Sequence, residues 1–206
     1  MTHHSLFAGS LIALALALQP AAAFAQPGSR IEVPEVPATL TVPDGNVVYL
    51  ETRASGTQNY ICLPTPTGVA WKFLGPQATL FIATPAFQQQ IATHFLSANP
   101  DEQGLPRPTW QHSFDSSSVW GRLYAPPSTD SNYVAPGAIP WLLLEAAGTA
   151  DGPNGGSLLS RTTYIHRVNT QGGVAPATGC TTAAEVGAVV LVPYATDYFF
   201  YRAARQ

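Results

Sequence analysis

Leu159-Ser-Arg-Thr-Thr-Tyr-Ile-His-Arg-Val-Asn-Thr170 places Arg161, Thr163, Ile165 and Arg167 on one side and Thr162, Tyr164, His166 and Val168 on the other. Side chains that change sides at every residue belong to a β-strand. Upstream, Gly148 to Gly156 carries the Gly and Asn of a turn. Before it, Ile139 to Ala147, with Trp141 and Leu142 to Leu144 in a row, is apolar on both faces and reads as a buried central strand. Downstream, Asn169-Thr-Gln-Gly172-Gly173 predicts a corner with positive backbone angles. Val186 to Pro193 and the aromatic Asp197 to Arg202 are further strands.

The same reading extends to the rest of the chain. Val47 to Thr52, Asn59 to Leu63, Ala70 to Leu74, Thr79 to Ala83, Gln90 to Leu96 and Val119 to Ala125 have strand length and composition. Gly75-Pro76 predicts a turn. Ser97 to Thr109, with Pro100, Gly104, Pro106 and Pro108, and residues 128 to 138 predict loops. About nine strand-like runs without an amphipathic helix indicate an all-β protein, an antiparallel sandwich or barrel with long Pro/Gly-rich loops.

Ser5 to Ala25 contains no charged residue, and Leu11 to Leu18 is an unbroken run of Leu, Ile and Ala, too short for the roughly 20 residues a membrane span needs. Small residues at Ala23 and Ala25 predict signal cleavage before Gln26. The expected organisation is a signal peptide over 1-25, an N-terminal arm over 26-38 and a single β domain over 39-206. An exported protein, periplasmic or extracellular and without a membrane span after cleavage, follows. In an oxidising compartment Cys62 and Cys180, the only two cysteines, are expected to pair. A formal net charge of -3 with a single lysine, Lys72, argues against a nucleic-acid partner. Oligomeric state is left open.

Three kinds of chemistry come into question. His94, His112 and His166 lack the spacing of metal ligands on one element, so no metal or cofactor is expected. A secreted hydrolase would draw on His94 and Asp115 with a hydroxyl such as Ser117, although no Gly-x-Ser-x-Gly elbow is present. Binding of a small molecule or saccharide would use aromatic platforms with a few polar groups. The candidates are His94, Trp110, His112 and Asp115, together with Trp120, Arg122 and Tyr124 on one strand face. Trp110 follows a proline-rich stretch, which places it near the surface, whereas Trp71 and Trp141 read as core. Arg167 is either ion-paired, with Glu145 as the partner in view, or a clamp for a ligand anion. A ligand-free role in the cell envelope is the remaining class.

Several segments carry a family likeness: Tyr60-Ile-Cys62, Trp71-Lys-Phe-Leu-Gly-Pro-Gln-Ala-Thr-Leu80, Thr93-His-Phe95, Pro108-Thr-Trp110, Ile139-Pro-Trp-Leu-Leu-Leu144 and the block from Tyr164 to Cys180. By these the chain resembles an uncharacterised secreted domain-of-unknown-function family of bacteria and fungi. The resemblance implies a secreted, mainly β domain. Some fungal members carry a malate dehydrogenase label, but this chain lacks the Gly-rich turn between strand and helix that would hold NAD. It departs from the family pattern at Ser116-Ser117-Ser118, where a turn glycine is typical, and at His166, where glutamine is typical, so no role is carried over to either place.

Overall fold

A computed structural model describes residues 30–83 and 88–204. The expected leader and residues 26–29 lie outside these. Eight antiparallel strands close into a barrel in chain order: β1 (Asn46–Thr65), β2 (Gly68–Ala83), β3 (Gln88–Asn99), β4 (Leu105–His112), β5 (Ser118–Leu123), β6 (Leu142–Ala150), β7 (Tyr164–Gly172) and β8 (Val189–Ala203). β8 returns to pair along almost the whole of β1. The only helical elements among the described residues are short 3-10 turns at Ala38–Leu40, Pro100–Glu102 and Ala183–Glu185.

The strands are fewer and longer than the sequence suggests. Val47–Thr52 and Asn59–Leu63 fuse into β1, and Asp197–Arg202 joins the run expected from Val186 to Pro193 in β8, which begins only at Val189. Gly75-Pro76 does not turn the chain. It sits inside β2, where Asn59 faces Gly75 and Tyr60 faces Phe73, so that Leu74 is the extra residue of a bulge. The Ser97–Thr109 loop is also corrected, since β3 runs to Asn99 and β4 begins at Leu105. The physical reason lies in the hydrogen-bonding edge. His112 N–H donates to Ser117 O on the β5 side, so the alternating positions 106 and 108 aim the same way. There β5 pairing starts only at Thr109. Both prolines therefore occupy an edge with no ladder to interrupt.

Along each strand one set of side chains fills the barrel: Leu50, Ala54, Leu80, Trp110, Val119, Leu144, Ile165, Tyr198 and Phe200 are buried in one cluster. A second cluster lies on the outer face of β6, β7 and β8, with Leu143, Val168, Phe199 and Tyr201 covered by Leu40 of the segment leading into β1 and by Val134 and Trp141 of the β5–β6 loop. This explains why the run ending in Ala147 is apolar on both faces: Leu144 points in, Leu143 points out, and both are sealed. His166 fastens the segment leading into β1, its Nε2 2.7 Å from Leu40 O and its Nδ1 2.9 Å from Tyr201 Oη. The carbonyl can only accept, so Nε2 carries the proton and Nδ1 accepts from the tyrosine.

One end of the barrel is plugged. The β6–β7 loop sends fully buried Leu159 into the interior cluster. Asp115 accepts from Leu158 N at 3.1 Å and Ser117 Oγ from Leu159 N at 3.0 Å. Gly152 and Gly156 pass so close to Asp115 that a Cβ on either would overlap it. At the other end the β7–β8 loop crosses part of the mouth. Cys180 is bridged to Cys62, Trp71 Nε1 donates to Thr178 O at 3.1 Å, and Tyr60 Oη donates to Gly173 O at 2.7 Å. The expected corner at Asn169 to Gly173 is corrected: Asn169 to Gly172 stay within β7, which bulges between Val168 and Gln171, and the positive φ at Asn169, Gly172 and Gly173 accommodates that irregularity. Among the described residues no helix is long and apolar enough to cross a membrane.

Candidate functional site

Between plug and mouth the barrel keeps a cavity of ≈ 390 Å³ lined from all eight strands, among others by Gln58, Tyr60, Phe73, His94, Trp110, Leu142, Leu144, Arg167 and Tyr198. Strand alternation decides the lining, since Gln58 and Tyr60 on β1 and Tyr198 on β8 share the inward parity of Leu50 and Phe200. Gly121 contributes by having no side chain: a Cβ there would come within 3.0 Å of Trp110 Cζ3 and 3.2 Å of Leu144 Cδ2. The indole fills that space.

Arg167 is the chemical centre of the cavity. Protein surrounds the guanidinium on most sides, and burial works against its charge, while part of the side chain faces the cavity. Its hydrogen bonds are from Nε at 3.3 Å and Nη2 at 2.8 Å to the Pro140 carbonyl. Among the described residues no carboxylate stands within ion-pairing distance of it, and the suggested partner Glu145 is bound instead to Arg122 at 2.8 Å. The Arg167–Glu145 pair is thus corrected. Among the described residues no Asp or Glu lines the cavity. The other two arginines there, Arg107 and Arg122, are matched by Glu102 and Glu145 at the rim. Hydrogen bonds from Arg107 hold the Glu102 carboxyl down to about 2.

Around Arg167 the polar atoms are donors in waiting. Gln58 Nε2, Trp110 Nε1, Tyr194 Oη and Tyr198 Oη are buried and take no hydrogen-bond partner from the described residues. The two tyrosines and Gln58 neighbour each other, and Tyr198 neighbours Arg167, without reaching hydrogen-bond geometry. Burial raises the pKa of both phenols, so they remain protonated. Orphaned buried groups of this kind cost about 1–3 kcal/mol each, and native interiors hold few.

His94 stacks on Trp110 with ring centroids 4.2 Å apart, and Tyr198 meets both rings edge-on. Its Nδ1 lies 2.9 Å from Thr109 O, so that nitrogen is the protonated one. Burial pushes the His94 pKa down to about 3, and burial also lowers that of His166. The sign of the consequence follows from linkage. Unfolded histidine titrates near 6.5, so below that pH the unfolded chain takes up protons that the folded one refuses. Stability is full above about pH 6.5 and falls on acidification, at up to roughly 1.4 kcal/mol per pH unit for each histidine. Urea denaturation at pH 7, 6.5 and 6, a range in which carboxylates stay essentially ionised in both states, is expected to show this trend, and His94→Gln to weaken it. A midpoint independent of pH would contradict the assignment.

The remaining residues singled out in the sequence disperse. Trp110 is not on a surface loop but 1% exposed inside the barrel. His112 and Asp115 sit at the plugged end, with His112 Nδ1 2.8 Å from Asp115 Oδ1. Partial burial pushes the Asp115 carboxyl up, but hydrogen bonds from Ser117 Oγ and N, from Leu158 N and from His112 outweigh it and hold the carboxyl below the usual range. Ser117 is fully buried, so its hydroxyl serves the plug. His94 bonds to Thr109 and Asp115 to Ser117 and Leu158, and no hydrogen bond joins the two. Trp120 donates from Nε1 to Ser97 Oγ at 2.8 Å on the outer face. Tyr124 packs on Tyr164 outside, and Arg122 reaches the rim. Sequence reasoning missed Gln58, Tyr60 and Tyr198 as cavity residues; their signal was a shared parity on two strands that turn out to be neighbours.

A family model described as "Protein of unknown function (DUF3455)" matches residues 43–202. No curated protein and no solved structure matches the chain.

Proposed function

The chain belongs to the DUF3455 family of proteins of unknown function, a membership that assigns no chemistry, and from the barrel interior we propose that it is an exported binding protein holding a small organic molecule in the cavity between plug and mouth. The observation that carries this is the combination of an apolar chamber with convergent, unpaired polar donors at one side. Ligand sites are typically chambers of 300–1,000 Å³ with a few placed polar groups. A core meant only for stability would have filled the space and paired the donors. Exposed Phe73 and Leu123 at the mouth give an apolar guest a favourable approach. The bridged cysteines agree with residence in an oxidising compartment.

The reading is tested with a neutral solvatochromic dye, Nile red, and a variant that fills the chamber. Leu142→Trp puts an indole into ligand space at a half-buried lining position. The wild-type protein is expected to take up the dye saturably, and the variant to lose at least tenfold in affinity while keeping its circular dichroism. Absence of saturable uptake by the wild type, or undiminished uptake by the variant, contradicts an internal site.

A further inference from the structure

An arginine largely enclosed by protein, hydrogen-bonded to a carbonyl and with no carboxylate in ion-pairing distance among the described residues, is an unfinished ion pair. Guanidinium stays protonated at any accessible pH, and enclosed charge without a counter-charge is strongly unfavourable. The Pro140 carbonyl occupies the Nε and Nη2 side of the fork, which leaves the Nη1–Nη2 edge for a planar bidentate acceptor. Tyr198 Oη lies close by, Tyr194 Oη and Gln58 Nε2 adjoin it, and each has a proton to give. Resting on the internal site proposed above, we infer that the ligand is a monocarboxylate with an apolar body, its carboxylate on Arg167 and its body toward Leu142, Leu144 and Trp110.

Charge and size narrow the class further. One unmatched cation and a largely apolar lining suit a single negative charge, whereas a phosphate dianion would bring a second one that nothing neutralises. Saccharide hydroxyls need acceptors as well as donors, and among the described residues no carboxylate lines the cavity. At about 30 Å³ per water-sized group, ≈ 390 Å³ holds roughly a dozen non-hydrogen atoms. Octanoate and cinnamate fall in that range.

The test is isothermal titration of the full mature protein with octanoate and cinnamate, with their uncharged amides octanamide and cinnamamide, and with octyl phosphate. For the wild type at least one acid is expected to bind tenfold or more tighter than its amide and than octyl phosphate. In Arg167→Met the ratio of acid to amide is expected to fall to about one. Arg167→Lys, which keeps the charge and loses the fork, should recover only part of it. Amides binding as well as acids, or octyl phosphate as well as octanoate, would overturn the carboxylate while leaving the internal site standing. Nile red uptake without binding of any acid would do the same. If dye, acids and amides all fail to bind, the internal site falls as well.

Discussion

Replacing Arg167 by methionine is expected to make the ligand-free protein more stable, by about 1–2 kcal/mol, even though it removes two hydrogen bonds to Pro140. Replacing a whole buried ion pair by apolar side chains of similar volume is often neutral or stabilising by 1–4 kcal/mol; Arg167 has no protein carboxylate that the change would orphan, so the same sign is expected for it. For a domain of this size each kcal/mol raises the melting temperature by roughly 2–4 °C. Chemical denaturation without ligand gives the comparison directly. A gain would show that the charge is kept at the expense of stability, as sites held for binding commonly are. A loss of more than 1 kcal/mol would make Arg167 a structural residue and remove the reason for an anion.

Opening the Cys62–Cys180 bridge is expected to have the largest effect on folding. The bridge spans a sequence separation of 118 residues, for which the chain-entropy treatment gives roughly 5 kcal/mol. The double variant Cys62→Ser/Cys180→Ser should therefore melt roughly 10–20 °C lower. It should also free the β7–β8 loop, which the bridge and the Trp71 bond to Thr178 hold over the mouth. Faster dye release is expected at temperatures where the variant remains folded. Stability within 1 kcal/mol of the wild type would mean that the loop is held by its other contacts alone.

How much of this could be read in the chain depends on which rule governed each segment. Period two was read from Leu159 to Thr170; it correctly separated Ile165 and Arg167 from His166 and Val168, because β7 has its lumen on one side and the Leu40 segment on the other, but residues 159–163 belong to the plug loop and the strand begins at Tyr164. Two-faced burial of Leu143 and Leu144 was legible for the same reason. The proline argument failed at Pro106 and Pro108, because their tolerance depends on where the neighbouring strand begins to pair, which is a property of β5 and not of β4. Gly75-Pro76 misled because a bulge absorbs one residue without ending a strand. The cavity was beyond local reading. Its residues come from strands that closure of the barrel makes neighbours, and an inward-facing donor such as Tyr198 looks in sequence like any other core aromatic. Asp115, singled out for chemistry, proved to be the hinge pin of the plug, and only the path of the β6–β7 loop reveals that.

The most direct examination of the central claim is a two-dimensional nitrogen–proton spectrum of the arginine Nε–Hε groups, recorded while octanoate is added. The resonance of Arg167 is predicted to shift saturably at one-to-one stoichiometry and its exchange with solvent to slow. A resonance of Arg167 that stays in place while octanoate binds, with changes confined to outward-facing groups such as Arg53 or Arg161, would contradict it.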